Sequence, residues 1–109
     1  MNAEQLYELL KNSQEPKGYF LNPDKKKALE LIDGLLVNRQ RYGYSSCPCR
    51  LASGNREWDQ DIICPCVYRE QDVRQYGQCY CALYLSPSAE TTAQDIFVPE
   101  RRPPEKTRF

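Results

Sequence analysis

Three Cys-X-Cys pairs within one short stretch constrain this chain more than any other feature of its sequence. The pairs are Cys47-Pro48-Cys49, Cys64-Pro65-Cys66 and Cys79-Tyr80-Cys81, and they contain all six cysteines of the chain. Loops of fourteen and twelve residues separate the pairs and show no long periodic pattern. Loops of this length are uncommon in a compact domain unless something ties them down. A metal centre bound by the cysteines would do so.

The remaining composition limits the chemistry that these thiols can take part in. The chain has 109 residues, enough for one domain with its own hydrophobic core, and it contains no histidine. Any metal site must therefore be all-thiolate or combine thiolate with carboxylate, and no imidazole base is present. Lys plus Arg and Asp plus Glu are fifteen each, so net charge gives no reason to expect a nucleic acid or a membrane as partner.

The cellular compartment is inferred from two features that the sequence lacks. No apolar run approaches the roughly eighteen residues of a membrane span, and the amino terminus lacks the basic-then-apolar layout of a secretory signal. We therefore expect a cytoplasmic protein. Because reducing cytosol disfavours disulfides, and a bond within a Cys-X-Cys pair closes a strained ring, three structural disulfides are disfavoured.

Apolar residues at spacings of three and four predict helices before the cysteine stretch. A short helix is expected over residues 3–11 and a long one from Pro23 to about Asn38, with Asn22 as its cap. Gly34 inside the long helix costs roughly 1 kcal/mol relative to alanine, so a close neighbour is expected at this position.

Beyond the first pair, the regular structure is predicted to be sparse. A short helix over 69–76 should close at Gly77, and a weak helix is expected over 89–94. Residues 98–109 are rich in proline and charge, and we predict an extended or frayed tail there. Trp58 is expected in the core or over the metal centre.

Four uses of the six thiols compete. Besides three disulfides, four thiolates could hold a structural zinc ion, which would make the chain a non-enzymatic zinc-binding interaction module. Zinc knuckles, however, usually space their ligands C-x2-C rather than C-x-C, and two cysteines would have no role. An iron–sulfur centre that only transfers electrons also leaves two thiols unused. The fourth arrangement places a [4Fe-4S] cluster on four thiolates and a redox-active disulfide beside it.

The fourth arrangement has a chemical rationale. Reducing a disulfide takes two electrons, whereas a ferredoxin delivers one at a time. A half-reduced disulfide is a high-energy radical unless the odd electron is delocalised, and a neighbouring iron–sulfur cluster can do this. In a Cys-X-Cys pair one thiol can ligate iron while its neighbour faces another direction, so the spacing suits both tasks.

The segments Cys47-Pro-Cys-Arg50, Ile63-Cys-Pro-Cys66 and Cys79-Tyr-Cys81 together resemble the catalytic (beta) subunit family of ferredoxin–thioredoxin reductases, and within it the prokaryotic ferredoxin–disulfide reductase branch. Gly18-Tyr19-Phe20 before the long helix and Leu83-Tyr84-Leu85 after the last pair also fit. The resemblance implies a single small helix-rich domain, partly irregular, wrapped around a [4Fe-4S] cluster.

The resemblance also implies an activity and partners. The chain would be an oxidoreductase that takes electrons from ferredoxin or a rubredoxin-like donor. With them it would reduce the disulfide of a thioredoxin- or glutaredoxin-like protein. The donor would dock on one face of a flat subunit and the disulfide protein on the other. A second subunit is compatible with the resemblance.

The resemblance implies roles for individual cysteines. The residues expected to ligate the cluster are Cys47, Cys64, Cys66 and Cys79, whereas Cys49 and Cys81 would form the active disulfide. Cys49 would be the more exposed thiol that attacks the partner disulfide. Cys81 would be the thiol that the cluster holds after the first electron.

Tyr80 and the two loops depart from the family pattern. The loops differ in length from those of the family, and Tyr80 stands where the family has a histidine that assists proton movement. A tyrosine has a reference pKa of about 10 against about 6.5 for histidine, so at pH 7 it donates a hydrogen bond rather than a proton. We count Tyr80 with the catalytic residues, with packing over the cluster as the alternative. Pro48 and Pro65 should fix the local turns.

Three arginines lie close to the cysteines in sequence. Arg50, Arg69 and Arg74 could meet an acidic surface of the electron donor or keep a nearby thiol ionised, with a solvated or structural role as the alternative.

Overall fold

The computed structural model describes residues 1–87 and 97–107. Within these residues the chain forms α1 (Ala3–Gln14), β1 (Phe20–Leu21), α2 (Lys25–Tyr42), α3 (Arg69–Tyr76) and β2 (Tyr84–Leu85). Short 3₁₀-helices cover Glu15–Lys17, Gln60–Ile62 and Pro104–Thr107. The helix expected over 89–94 lies outside the described residues. The domain is small, compact and helix-rich, as the sequence predicts, with principal extents of 37 × 31 × 22 Å.

The helices α1 and α2 pack against each other, and α2 supplies three buried residues of the core. Asn2 and Gln5 form a capping box that starts α1, because each side chain accepts from the backbone N–H of the other residue. The buried face of α2 consists of Ala28, Ile32 and Leu35, at the spacing of three and four predicted from the sequence. None of the helices within the described ranges is long and apolar enough to cross a membrane.

The start of α2 differs from the prediction. The helix begins at Lys25 and is capped by Asp24, whose side chain accepts from the Lys27 N–H; Asn22 is not the cap and Pro23 precedes the helix. Asn22 is buried and has another task, since its side-chain amide donates to the Ala82 carbonyl oxygen at 2.9 Å. It thereby ties the approach to α2 to the loop that carries the third cysteine pair.

α2 and α3 each end at a glycine. α2 continues one turn beyond Asn38 to Tyr42, and Gly43 closes it in the left-handed region with φ of 87°. α3 has the predicted bounds, Arg69–Tyr76, and Gly77 closes it with φ of 82°. The antiparallel pair β1–β2 then joins the chain before α2 to the chain after the third cysteine pair, with Phe20 opposite Leu85.

Residues 97–107, here called the C-terminal strap, are held by buried charges rather than frayed. The Arg102 side chain is 1% exposed and lies between Asp59 and Asp61, with its Nε 2.9 Å from Asp61 Oδ2. Arg101 pairs with the buried carboxylate of Asp72. Of the two alternatives for this segment, extended or frayed, the ion pairs contradict fraying; pairs between residues some forty positions apart are not visible in a local sequence pattern.

Trp58 also contacts the strap. Its indole N–H donates to the Lys106 carbonyl oxygen at 2.9 Å, and the Lys106 ammonium lies 4.5 Å from the ring centroid. The side chain is 38% exposed, so the expectation of a core residue is wrong.

Gly34 has the close neighbour that its position in α2 predicts. A Cβ atom placed on Gly34 would lie 2.8 Å from Cβ of Pro48, the middle residue of the first cysteine pair. α2 therefore passes directly against this pair, and only a residue without a side chain fits at the contact.

We expect Gly34→Ala to lower the free energy of unfolding by about 1 kcal/mol, because overpacking outweighs the gain in helix propensity. Urea denaturation followed by circular dichroism measures the change. Asp33→Ala, at an exposed position of the same helix, is the control and should raise the free energy of unfolding slightly. An equal gain for both variants would contradict the close contact.

We expect Arg102→Met to lower the free energy of unfolding by about 3–5 kcal/mol, because Asp59 would be left buried without its cation. Arg74→Met is the control, since Arg74 is exposed and pairs with Glu70 one turn away along α3. It should change the free energy by less than about 0.5 kcal/mol. Similar losses for the two variants in the same denaturation experiment would count against the buried pairing.

Candidate active site

Backbone hydrogen bonds bring the first two cysteine pairs side by side. The Cys47 N–H donates to the Ile62 carbonyl oxygen and the Cys64 N–H to the Ser45 carbonyl oxygen, both at 2.8 Å. Ser46 and Ile63 form an isolated antiparallel bridge between them. Two segments that are seventeen residues apart in sequence thus present their thiols to one region.

The third pair reaches the same region through a tight turn. The Cys79 N–H donates to the Tyr84 carbonyl oxygen, and the Ala82 N–H donates back to the Cys79 carbonyl oxygen. Ala82 has a φ of 65°, a left-handed conformation that is uncommon for a residue with a side chain. This turn places the sulfur atoms of Cys79 and Cys81 3.8 Å apart.

The thiols meet around a small cavity that is partly open to solvent. The residues that line it are Cys47, Arg50, Cys64, Pro65, Cys66, Arg69, Cys79, Tyr80, Cys81 and Tyr84. All four cysteines expected to ligate a cluster are in this lining, together with Cys81. Cys49 is not part of the lining and its side chain is exposed.

Cys81 is the hub of the thiol contacts. It lies within hydrogen-bonding reach of Cys47, Cys49 and Cys79. Contact with these sulfur atoms, together with burial, raises the pKa of Cys81 well above its usual value. The same contact lowers the pKa of Cys49 and lowers that of Cys79 to about 7. The proton therefore stays on Cys81, and its neighbours gain thiolate character.

Two further cysteines are affected mainly by burial. Burial raises the pKa of Cys64 and Cys66, and the nearby sulfur atoms raise it further. Arg50 opposes this effect and acts to lower the pKa of Cys66, because its Nη1 lies 3.5 Å from the Cys66 sulfur. A positive charge so close to the sulfur favours the thiolate.

Arg50 and Tyr80 form a stacked pair at the cavity wall. The Arg50 guanidinium carbon lies 4.4 Å from the centroid of the Tyr80 ring and 5.1 Å from that of Tyr68. Burial raises the pKa of Tyr80, with a smaller contribution from the Glu100 carboxylate, so its hydroxyl keeps its proton at neutral pH. Tyr80 thus lines the cavity as a neutral aromatic residue.

The other two arginines have different surroundings. Arg69 lies over the rings of Tyr19 and Tyr84, at 3.7 and 4.8 Å from their centroids, and lines the cavity. Arg74 is exposed on α3. Of the three arginines singled out in the sequence, two therefore belong to the cavity wall.

Sequence reasoning missed the roles of Tyr84 and Glu100. Tyr84 is 1% exposed and lines the cavity, and its hydroxyl has no hydrogen-bond partner among the described residues. Glu100 binds Arg50 with both carboxylate oxygens. The Leu-Tyr-Leu run indicated a buried segment at Tyr84, but no local signal connects Glu100 with a residue fifty positions away.

A cavity lined by paired cysteines, with an exposed thiol in contact with it, defines a thiol-dependent oxidoreductase. Comparison with known families specifies which one: residues 1–101 match the model of the ferredoxin thioredoxin reductase catalytic beta chain. The chain belongs to this family of oxidoreductases, and the assignment made from the cysteine pairs is confirmed.

Individual relatives agree with the family. The chain is 28% identical over 98 residues to the ferredoxin-thioredoxin reductase catalytic chain of Porphyra purpurea, an alignment covering 84% of this chain and 76% of that protein. It is 26% identical over 103 residues to the catalytic chain of Cyanidium caldarium, covering 89% and 86%. The chloroplastic catalytic chain of Arabidopsis thaliana is 30% identical over 84 residues, covering 72% and 52%.

Proposed function

We propose that this chain is an iron–sulfur oxidoreductase that reduces the disulfide of thioredoxin or a thioredoxin-like protein with electrons from ferredoxin or a similar one-electron donor. The relatives are named for ferredoxin and thioredoxin. The observation that carries the proposal is the meeting of five thiols at one cavity, with Cys49 exposed and in contact with Cys81.

The donor set fits a [4Fe-4S] cluster held by Cys47, Cys64, Cys66 and Cys79. These four thiols are spread around a cavity, and among the described residues no three Cys, Asp or Glu side chains are placed to hold one metal ion. A zinc ion needs its thiolates about 2.3 Å from a single point, whereas each iron of a cluster needs only one thiolate. The unpartnered hydroxyl of Tyr84 is available as a donor to an acceptor within the cavity.

A bound cluster would supply single electrons next to the thiols, and the chain's own residues would carry out the exchange with the partner. Cys49, as thiolate, attacks one sulfur of the partner disulfide and releases the other sulfur, which takes a proton. Cys81 then attacks Cys49, so a Cys49–Cys81 disulfide forms and the second partner thiol leaves. Two electrons and two protons return that disulfide to two thiols.

The surroundings of the two thiols match these roles. Cys49 is exposed, and its pKa is lowered first by the hydrogen bond from Cys81 and further by the charges of Arg50 and Lys27. A low pKa and exposure are what an attacking thiol needs. Cys81 is buried and in contact with Cys49, so it is within reach for the second step, in which it gives up its proton as it attacks the Cys49 sulfur and the leaving partner sulfur takes up a proton.

Tyr80 is proposed as a neutral wall of the site that orients Arg50 and excludes water. Its raised pKa makes it a poor proton donor to a thiolate at pH 7. A chain that works through free thiols requires a reducing compartment, for which we propose the cytoplasm.

The cysteine assignments can be tested by anaerobic iron and sulfide analysis of serine variants. We expect the purified protein to be brown and to contain about four irons and four inorganic sulfides per chain. Cys49→Ser and Cys81→Ser should keep both, whereas Cys64→Ser should lose them, because Cys64, unlike Cys49 and Cys81, is a proposed ligand of iron. A colourless protein with one zinc ion would support the interaction module instead.

The same variants separate the two exchange steps. Cys49→Ser should abolish thioredoxin reduction by reduced ferredoxin, since no thiol remains to attack the partner. Cys81→Ser should accumulate a mixed disulfide between Cys49 and the partner, visible as an adduct on a non-reducing gel. Iron loss in either variant equal to that in Cys64→Ser would refute the division of the thiols.

A further inference from the structure

A buried ion pair lies directly beside one of the proposed cluster ligands. The Arg50 side chain is 2% exposed, and its Nε and Nη2 donate to the Glu100 carboxylate at 2.8 and 2.7 Å. The remaining nitrogen, Nη1, lies 3.5 Å from the Cys66 sulfur. Arg50 follows the first cysteine pair, Cys66 belongs to the second, and Glu100 is part of the C-terminal strap.

The geometry leaves the guanidinium little freedom. Two of its three nitrogens are committed to Glu100, and the Tyr68 and Tyr80 rings flank it. A bidentate guanidinium–carboxylate pair fixes direction as well as distance. Glu100 of the strap therefore helps to direct Nη1 of Arg50 towards the Cys66 sulfur, in addition to the position of Arg50 next to the first cysteine pair.

Both partners are charged. Burial alone would lower the pKa of Arg50, but the hydrogen bonds to Glu100 and the nearby sulfur atoms of Cys47 and Cys66 raise it above its ordinary value. The pKa of Glu100 is pushed upward by burial and lowered overall by the hydrogen bonds from Arg50 and the Arg102 backbone. A full positive and a full negative charge thus lie within a few ångströms of the cavity.

The location of Arg50 excludes the docking role that the sequence suggested for it. A side chain that is 2% exposed and bound by the strap cannot meet the surface of another protein. The charge of Arg50 acts inward, on the cavity.

We propose that the Arg50–Glu100 pair sets the reduction potential of the cluster, with Arg50 raising it and Glu100 limiting the increase. This inference rests on the proposed function, since it requires the cluster. The potential of an iron–sulfur centre depends on the hydrogen bonds to its sulfurs and on nearby charge. Because the reduced centre carries one more negative charge, a donor and cation at Cys66 favour reduction, and a carboxylate behind that cation opposes it.

The two partners therefore predict shifts of opposite sign. Arg50→Gln should move the midpoint potential to more negative values by about 59 mV, the equivalent of a tenfold change in the equilibrium constant of a one-electron couple. Glu100→Gln should move it to more positive values, because the amide oxygen still accepts from Arg50 while the negative charge is gone. The potential of the double variant should lie between those of the two single variants.

The measurement is an anaerobic redox titration of the cluster's visible absorption, with iron and sulfide determined for each sample. Arg50→Lys, which keeps the charge, should shift the potential less than Arg50→Gln. Glu70→Gln and Arg74→Gln are matched controls, since both side chains are about 70% exposed on α3, and they should leave the potential unchanged.

The results separate this inference from the proposed function. Absence of iron from the unaltered protein would refute the proposed function. Iron-loaded variants whose potentials are unchanged, or shift in the same direction for Arg50→Gln and Glu100→Gln, would refute only the role of the pair. If Arg50→Gln loses its iron, the sign of the Glu100→Gln shift relative to Glu70→Gln decides the question.

Discussion

The structure depends on buried charges that fasten the loop after the first cysteine pair. This loop contains a 3₁₀-helix, Gln60–Ile62, and little other regular structure. Arg102 enters between Asp59 and Asp61, and Asp59 also accepts from Tyr44 and Ser53. Burial by itself would raise the pKa of Asp59, but these hydrogen bonds lower it, so the carboxylate stays ionised opposite Arg102. With the loop fixed, the backbone at the second cysteine pair can form hydrogen bonds with the backbone at the first.

The site has a division between a buried interior and one accessible thiol. Five of the six cysteines line a cavity whose wall also contains tyrosines, whereas Cys49 is exposed to solvent. Cys81 joins the two, since it lines the cavity and also contacts Cys49. The thiol exchange proposed above begins at the exposed Cys49 and continues at Cys81, which has both kinds of neighbour.

Sequence patterns were sufficient where structure is local. The bounds of α3, the glycines that end α2 and α3, and the close neighbour of Gly34 all follow from spacing and backbone preference. The start of α2 was misjudged because a distant carbonyl group, that of Ala82, recruits Asn22 away from the cap position. The strap was misjudged for the same kind of reason. From the sequence alone, Arg101 and Arg102 resemble the arginines of a solvated tail, because their carboxylate partners are remote in sequence.

The long sequence separation of the strap contacts has a consequence for the order of folding. Arg50 and Glu100 are fifty residues apart, and closing so large a loop costs more entropy than closing the short loop between α1 and α2. The helical part of the chain should therefore assemble while the carboxyl-terminal residues are still free. During that interval Arg50 has no carboxylate to hold it, and the cavity wall that it forms is incomplete. Any step that requires an incomplete cavity wall would therefore take place before the strap binds.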